Sequence, residues 1–290
     1  MPHNTTKQHT LWLLAAIAAP AAHFSGSGWL TAAITALAVL PLTLLPKNWR
    51  IITKPLALLQ IMWLGMVAGT LLPHSAAYWP SDNDLVVPLT LLTLAAFTNT
   101  HAAPGVGAVL AFCMALLAIP AAVSGASHIE PNWLRPEITP WPVGLSLALL
   151  LPNLPSAGEN QKGKRLLGAA AVTIVLSLLV QGVTSTTVAA SLPDPFYQTA
   201  RALGHLEPVI AAGLTLGWYA LAGWLFHSAA YIAQKAGLRE KLSYVLLWGT
   251  ATAFLLFGQQ PNMQFVTVLS LFWWVITPFF LNLKKLEKSA

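Results

Sequence analysis

Residues 125–140, GASHIEPNWLRPEITP, are the longest polar connection inside the chain that lacks a cluster of cations. The apolar segments on either side of this stretch decide the fold class. Division at Pro, Gly and charge clusters gives five before it, at about residues 11–24, 28–46, 52–73, 85–101 and 104–124. Five more follow, at about 141–157, 166–191, 207–234, 242–258 and 263–283. Each approaches the roughly 20 apolar residues that a helix needs to cross a bilayer. With 56% of its 290 residues hydrophobic and only 8% charged, the chain reads as an all-α polytopic membrane protein of about ten spans.

The few charges are sorted between the gaps. Thirteen of the 15 Lys and Arg residues fall in every second gap: Lys7 in the N-terminal tail, then Lys47, Arg50 and Lys54, then Lys162, Lys164 and Arg165, then Lys235, Arg239 and Lys241, then Lys284, Lys285 and Lys288. The alternate gaps hold Asp82, Asp84, Glu130, Glu137, Asp194 and Glu207, with Arg135 and Arg201 as their cations. Positive charge is retained on the cytoplasmic side, so both termini are expected there, as an even number of spans requires. Lys7 ahead of an apolar run also fits the n-region and h-region of a secretory signal peptide, but its removal would put the next basic loop on the wrong side.

The net charge of +6 suggests nucleic acid, yet the cations flank apolar segments and form no aromatic-interleaved patch, so no nucleic-acid partner is expected. One cysteine, Cys113, excludes an internal disulfide framework and a cysteine-cluster metal site. There is no H-E-x-x-H, no G-x-S-G and no pair of acids at helical spacing inside a span, so neither an enzyme nor a cofactor or metal site is expected.

A five-span unit begins on one side of the membrane and ends on the other. Two such units in one chain are therefore oppositely oriented, and if they are related folds they form an inverted repeat, residues 11–124 and 141–283, within a single transmembrane domain covering 1–290. The first span of each unit is the one least able to be an unbroken helix. Span one, LWLLAAIAAPAAHFSGSG, contains Pro20 and ends in Ser25-Gly26-Ser27-Gly28; span six, WPVGLSLALLLPNLPSAG, contains Pro142, Gly144, Pro152 and Pro155. Interrupted segments at corresponding places expose backbone groups that can bind a substrate or ion near the midplane. Short, kinked peripheral helices are the alternative reading of the same residues.

The stretch from about residue 85 onward resembles a known family. PLTLLTLAAFTNTHAAPGVGAVLAF and AAVSGASHIEPNWLRP resemble spans four and five of the permease subunit of spore germination receptors. LLLPNLPSAGENQKGKRLL and SLPDPFYQTARALGHLEPVIAAGLTLGWYAL are similar to its span six, with a Pro-rich exit, and to the loop and span that follow span seven. FWWVITPFFLNLKKLEK looks like its last span and basic tail. The resemblance rests on the order of weak motifs over roughly 200 residues. It implies the amino acid, polyamine and organocation transporter superfamily, with a five-plus-five inverted repeat, broken helices 1 and 6, and a place in a bacterial cytoplasmic or spore inner membrane. It further implies a small amino acid-like germinant or ion as ligand, and other receptor subunits beside membrane lipid as partners. The chain departs from the family in a shortened first span and in Val143, Gly144, Leu145 and Ser146 where span six would carry an acid.

The ligand-binding candidates are Pro20, His23, Ser25 and Gly26 at the first break, Gly144 and Ser146 at the second, and His227 within span eight, GWLFHSAAY. Each histidine can also be a neutral side chain bonded to a neighbouring helix. Arg201 and Glu207 bracket the entry to span eight; a surface pair contributes little, and gating or partner contact is what the resemblance implies for them. Two further polar groups, Asn99 with Thr98, Thr100 and His101, and Gln181 with Thr184, Ser185, Thr186 and Thr187, read as a loop entry and as helix packing. Trp29, Trp49, Trp79, Trp133 and Trp141 fit an interfacial belt. The functional expectation is a transporter-fold subunit that senses or passes a small solute in spore germination. A secondary amino acid or amine permease and a non-transporting membrane scaffold are the alternatives.

Overall fold

The computed structural model describes residues 2–26, 52–79, 82–98, 105–114, 127–134, 159–202 and 207–258, with pieces at 30, 33, 37, 125, 268–269, 272–277 and 280. The chain is all-α, with no strand among the described residues. Its elements are α1 (Pro2–His23), α2 (Lys54–Leu71) continued by a 3-10 segment (Leu72–Tyr78), α3 (Val86–Phe97), α4 (Gly105–Met114), α5 (Glu159–Thr184), α6 (Thr186–Ser191), α7 (Pro195–Ala202), α8 (Glu207–Lys235) and α9 (Glu240–Phe257). A short π-helical piece covers Phe272–Ile276.

Among the described residues, three stretches are long and apolar enough to cross a membrane: Lys54–Tyr78 with 25 residues, Leu167–Thr184 with 18 and Glu207–Lys235 with 29. At about 1.5 Å per residue the last is roughly 43 Å long, more than the hydrocarbon core requires. Large apolar side chains are exposed on several helices, including Phe97, Val109, Phe112, Val175, Val245 and Phe257. Such an outer surface is compatible with a lipid environment.

α8 is the central element and packs against α1, α2, α3, α7 and α9. Trp218, Trp224 and Phe226 on α8, Leu13 on α1 and Ile61 and Leu64 on α2 are among the largest fully buried side chains. Small residues let the helices close on one another. A Cβ on Gly65 or Gly69 of α2 would stand 2.9 Å from the Leu247 carbonyl oxygen or 2.7 Å from that of Ala251, both on α9. These two glycines form a G-x-x-x-G face, which brings backbones together where apolar burial alone gives little drive. Trp12 acts as a wedge between α4 and α8. Its indole N–H donates to the Ala220 carbonyl at 3.0 Å, and its ring occupies the space that a side chain on Gly107 would fill.

Helix boundaries follow from local chemistry. Pro55 at the start of α2 needs no N–H there. Pro73 removes the next donor, and the chain tightens into the 3-10 segment. α8 ends with Gly237 at φ 67°, and Leu238 N–H donates to the Ala233 carbonyl at 2.8 Å, a Schellman closure that needs a residue without Cβ strain.

Three expectations are altered. Pro20 does not interrupt α1, which runs on to His23 and ends in a turn over Phe24–Gly26, because a proline near a helix end removes only one backbone bond. The expected span 166–191 starts earlier, at Glu159, and is divided at Ser185, which has φ 66° and ψ 154°. Asp194, read as a marker of an exposed gap, is buried. The expected spans at 141–157, with Gly144 and Ser146, and at 28–46 and 263–283 apart from a few residues, lie outside the described residues, as do Asn99, Thr100 and His101.

Candidate functional site

His23 is the last residue of α1 and points into the protein. Its Nδ1 lies 3.0 Å from Oδ2 of Asp194, 171 residues away in sequence, and both side chains are buried. The Tyr78 hydroxyl donates a short hydrogen bond to the same oxygen. The other oxygen, Oδ1, accepts from the Tyr197 backbone N–H at 3.1 Å, so that Asp194 also caps α7. Pro195, which follows it, suits the first position of that helix. One carboxylate thus joins the end of α1, the end of the 3-10 segment and the start of α7.

Aromatic rings enclose it. His74 stacks on His23 with centroids 4.0 Å apart, Phe24 meets both imidazoles edge-on, and Trp218 of α8 lies about 6 Å from each. Tyr197 packs against Tyr78 at 5.2 Å. Within this enclosure a carboxylate, two imidazoles and two phenols form a group that can hold and pass protons. Its hydrogen bonds are made in low dielectric, where they are strong and where loss of one partner is expensive. No group of three or more metal-ligating side chains suitable for an ion occurs among the described residues.

A cavity of about 460 Å³ lies between α1, α4, α5, α7 and α8, lined by Leu11, Leu14, Ala18, Met114, Val172, Leu214 and other apolar side chains. Ala22 and Phe196, close chain neighbours of His23 and Asp194, also line it. The cavity accepts an apolar body, and the ionisable cluster stands beside it.

The candidates from the first break are brought together in part. Ser25 is buried and its hydroxyl donates to the Ala22 carbonyl at 2.6 Å, closing the end of α1. Gly26 lies against the backbone of α6, where an added Cβ would be 2.3 Å from the Ala189 carbonyl oxygen. Pro20 accepts at its carbonyl from Phe24 N–H at 2.9 Å. His227 is elsewhere, in a second aromatic group with His9, Trp12 and Trp224. Arg201 and Glu207 are 3.4 Å apart and well exposed. Trp79 and Trp133 are exposed, and Thr98 bonds the Tyr219 hydroxyl at 2.7 Å.

The sequence pattern places Asp194 only as an acid in a gap and does not single out Tyr78, His74 or Trp218. A signal was present in Pro193-Asp194-Pro195, an acid held between two prolines, and in His74 and Tyr78 four residues apart in a Pro-bounded apolar stretch. Comparisons with protein-family models and with curated proteins give no match to this chain.

Proposed function

We propose that this chain is a ten-span membrane protein of the inverted-repeat transporter type, with both termini cytoplasmic, that passes or senses a small amino acid-like solute. The observation that carries this reading is the buried Asp194 carboxylate, shared by His23 and Tyr78 from two other segments. A buried ionisable group is expensive, which makes this one the candidate for ion or substrate handling.

Asp194 has its oxygens occupied by protein donors. An incoming ammonium group or a proton taken at Oδ2 competes with His23 and Tyr78. Releasing them frees the end of α1 and the 3-10 segment from α7, and the apolar cavity beside Ala22 and Phe196 accommodates the rest of the solute. That exchange links binding to a movement of helices, as a permease or a receptor subunit requires. The order of motifs resembling the germination receptor permease subunit supplies the biological setting, with other receptor subunits as partners.

Uptake of labelled amino acids and amines into proteoliposomes, with internal pH recorded, tests the transport form of this reading. The wild type is expected to show solute-dependent proton movement that Asp194→Asn abolishes. Transport by Asp194→Asn at the wild-type rate would overturn the assignment of the site. Nutrient-triggered germination with and without the gene tests the receptor setting; no difference removes it.

A further inference from the structure

Small residues open the cavity beside α1. Ala15, Ala18 and Ala22 recur at helical spacing on its wall, and Gly213 of α8 lines the same space. The cavity measures about 460 Å³, whereas about 150 Å³ already accepts a benzene ring in an apolar interior. The methyl group of an alanine-like solute fills little of it. On α1 the lining runs from Leu11 to Ala22, so the space extends for about 16 Å along that helix.

One end of this space adjoins the ionisable cluster. Ala22, Phe196 and Leu214 line it, and they stand one, two and four positions from His23, Asp194 and Trp218. His23 and Asp194 meet at 3.0 Å, and the Trp218 ring lies 6.2 Å from that of His23, so α1, α7 and α8 converge on the carboxylate and on the cavity together. Leu11 and Val175, which also line the cavity, are exposed, so the space reaches the molecular surface. The protein thus offers a single ligand a carboxylate at one end and a long apolar wall beyond it.

We infer that the solute is an α-amino acid with a long apolar side chain, its ammonium group at Asp194 and its side chain in the cavity along α1. This substrate class rests on the reading of Asp194 as the solute site and adds selectivity for chain length to it. Each methylene moved from water onto such a wall raises affinity by about threefold to fourfold. A polar side chain loses its water there and gains an apolar surface in exchange, which is unfavourable.

The test uses the full chain in phosphatidylcholine nanodiscs and a straight-chain series: alanine, 2-aminobutyrate, norvaline and norleucine, with serine and glutamine as polar controls. Affinity is read from the thermal midpoint as each is titrated. It is expected to rise by about thirtyfold or more from alanine to norleucine, with both polar controls below norvaline. Ala18→Phe places a ring in the cavity and should lower the ratio of norleucine to alanine affinity by about tenfold. Val172→Phe, from the α5 wall, carries the same expectation and serves where Ala18→Phe does not fold. Equal affinities along the wild-type series, or a ratio untouched in a folded cavity variant, overturn the apolar subsite. If those equal affinities are all lost in Asp194→Asn, the Asp194 site stands and the subsite alone falls; if no member of the series binds, both fall. A series unchanged in Asp194→Asn removes the ammonium's place at Asp194, while the cavity variants still decide the subsite.

Discussion

Asp194 shows how much a single buried acceptor can organise. Its carboxylate receives the Tyr78 hydroxyl, the His23 imidazole and the Tyr197 backbone N–H. Replacing it by Ala leaves these donors in a dry enclosure, and unsatisfied buried groups cost about 1–3 kcal/mol each. Asp194→Ala is therefore expected to destabilise the protein by about 3 kcal/mol, measured by denaturant unfolding in detergent micelles. Combined with Tyr78→Phe in a double-mutant cycle, it should show a coupling of about 1 kcal/mol or more; additive effects would mean that the hydrogen bond contributes nothing. Arg201 and Glu207 make a contrasting pair. They are 3.4 Å apart but exposed, so Arg201→Ala should change stability by less than about 0.5 kcal/mol. Both acids stand in gaps of the same kind, and composition alone does not separate them. Flanking prolines and burial do.

At the scale of elements, two features control how helices meet. Ser185 joins α5 to α6 with φ 66° and ψ 154°, a region that only glycine enters without strain. Its hydroxyl caps Val188 N–H at a long 3.5 Å, which returns little. Ser185→Gly should therefore stabilise the protein by about 1 kcal/mol, and Ser185→Val should destabilise it by more than that. Thermal unfolding of the two variants side by side checks the ordering, and a destabilised glycine variant would contradict it. The α2–α9 contact depends instead on absent side chains. Gly69→Leu would drive a branched group into the Ala251 carbonyl and the Phe254 side chain, for a loss of about 1–3 kcal/mol and easier proteolysis near Gly237. The spacing of Gly65 and Gly69, not among the expectations drawn from the sequence, names a face and not the helix that covers it.

For the whole molecule, the charge pattern carries an expectation about which side of the membrane each end of a segment faces. It expects the ends that carry His23, Tyr78 and Asp194 on one side, and those that carry His9 and Arg165 on the other. Single cysteines in a Cys113→Ala background test the orientation. Cysteines at the exposed positions Asp82 and Ser127 should react with an impermeant maleimide in intact cells, and one at Lys241 only after permeabilisation. Labelling of all three from the same side would refute the assigned topology.

The sequence by itself determined an all-helical, membrane-compatible chain, the approximate limits of α2, α3, α8 and α9, and the position of His23 at the end of the first helix. These follow from local quantities: the length of apolar runs, the placement of Pro and Gly, and the spacing of charge. Only the tertiary structure decided that Pro20 is carried inside α1, that Ser185 divides the seventh segment, and that Asp194 belongs to the interior. The reason is physical. A carboxylate is costly in an apolar interior unless donors surround it, and here they come from residues 23, 78 and 197, which are remote in sequence and meet only when the helices pack.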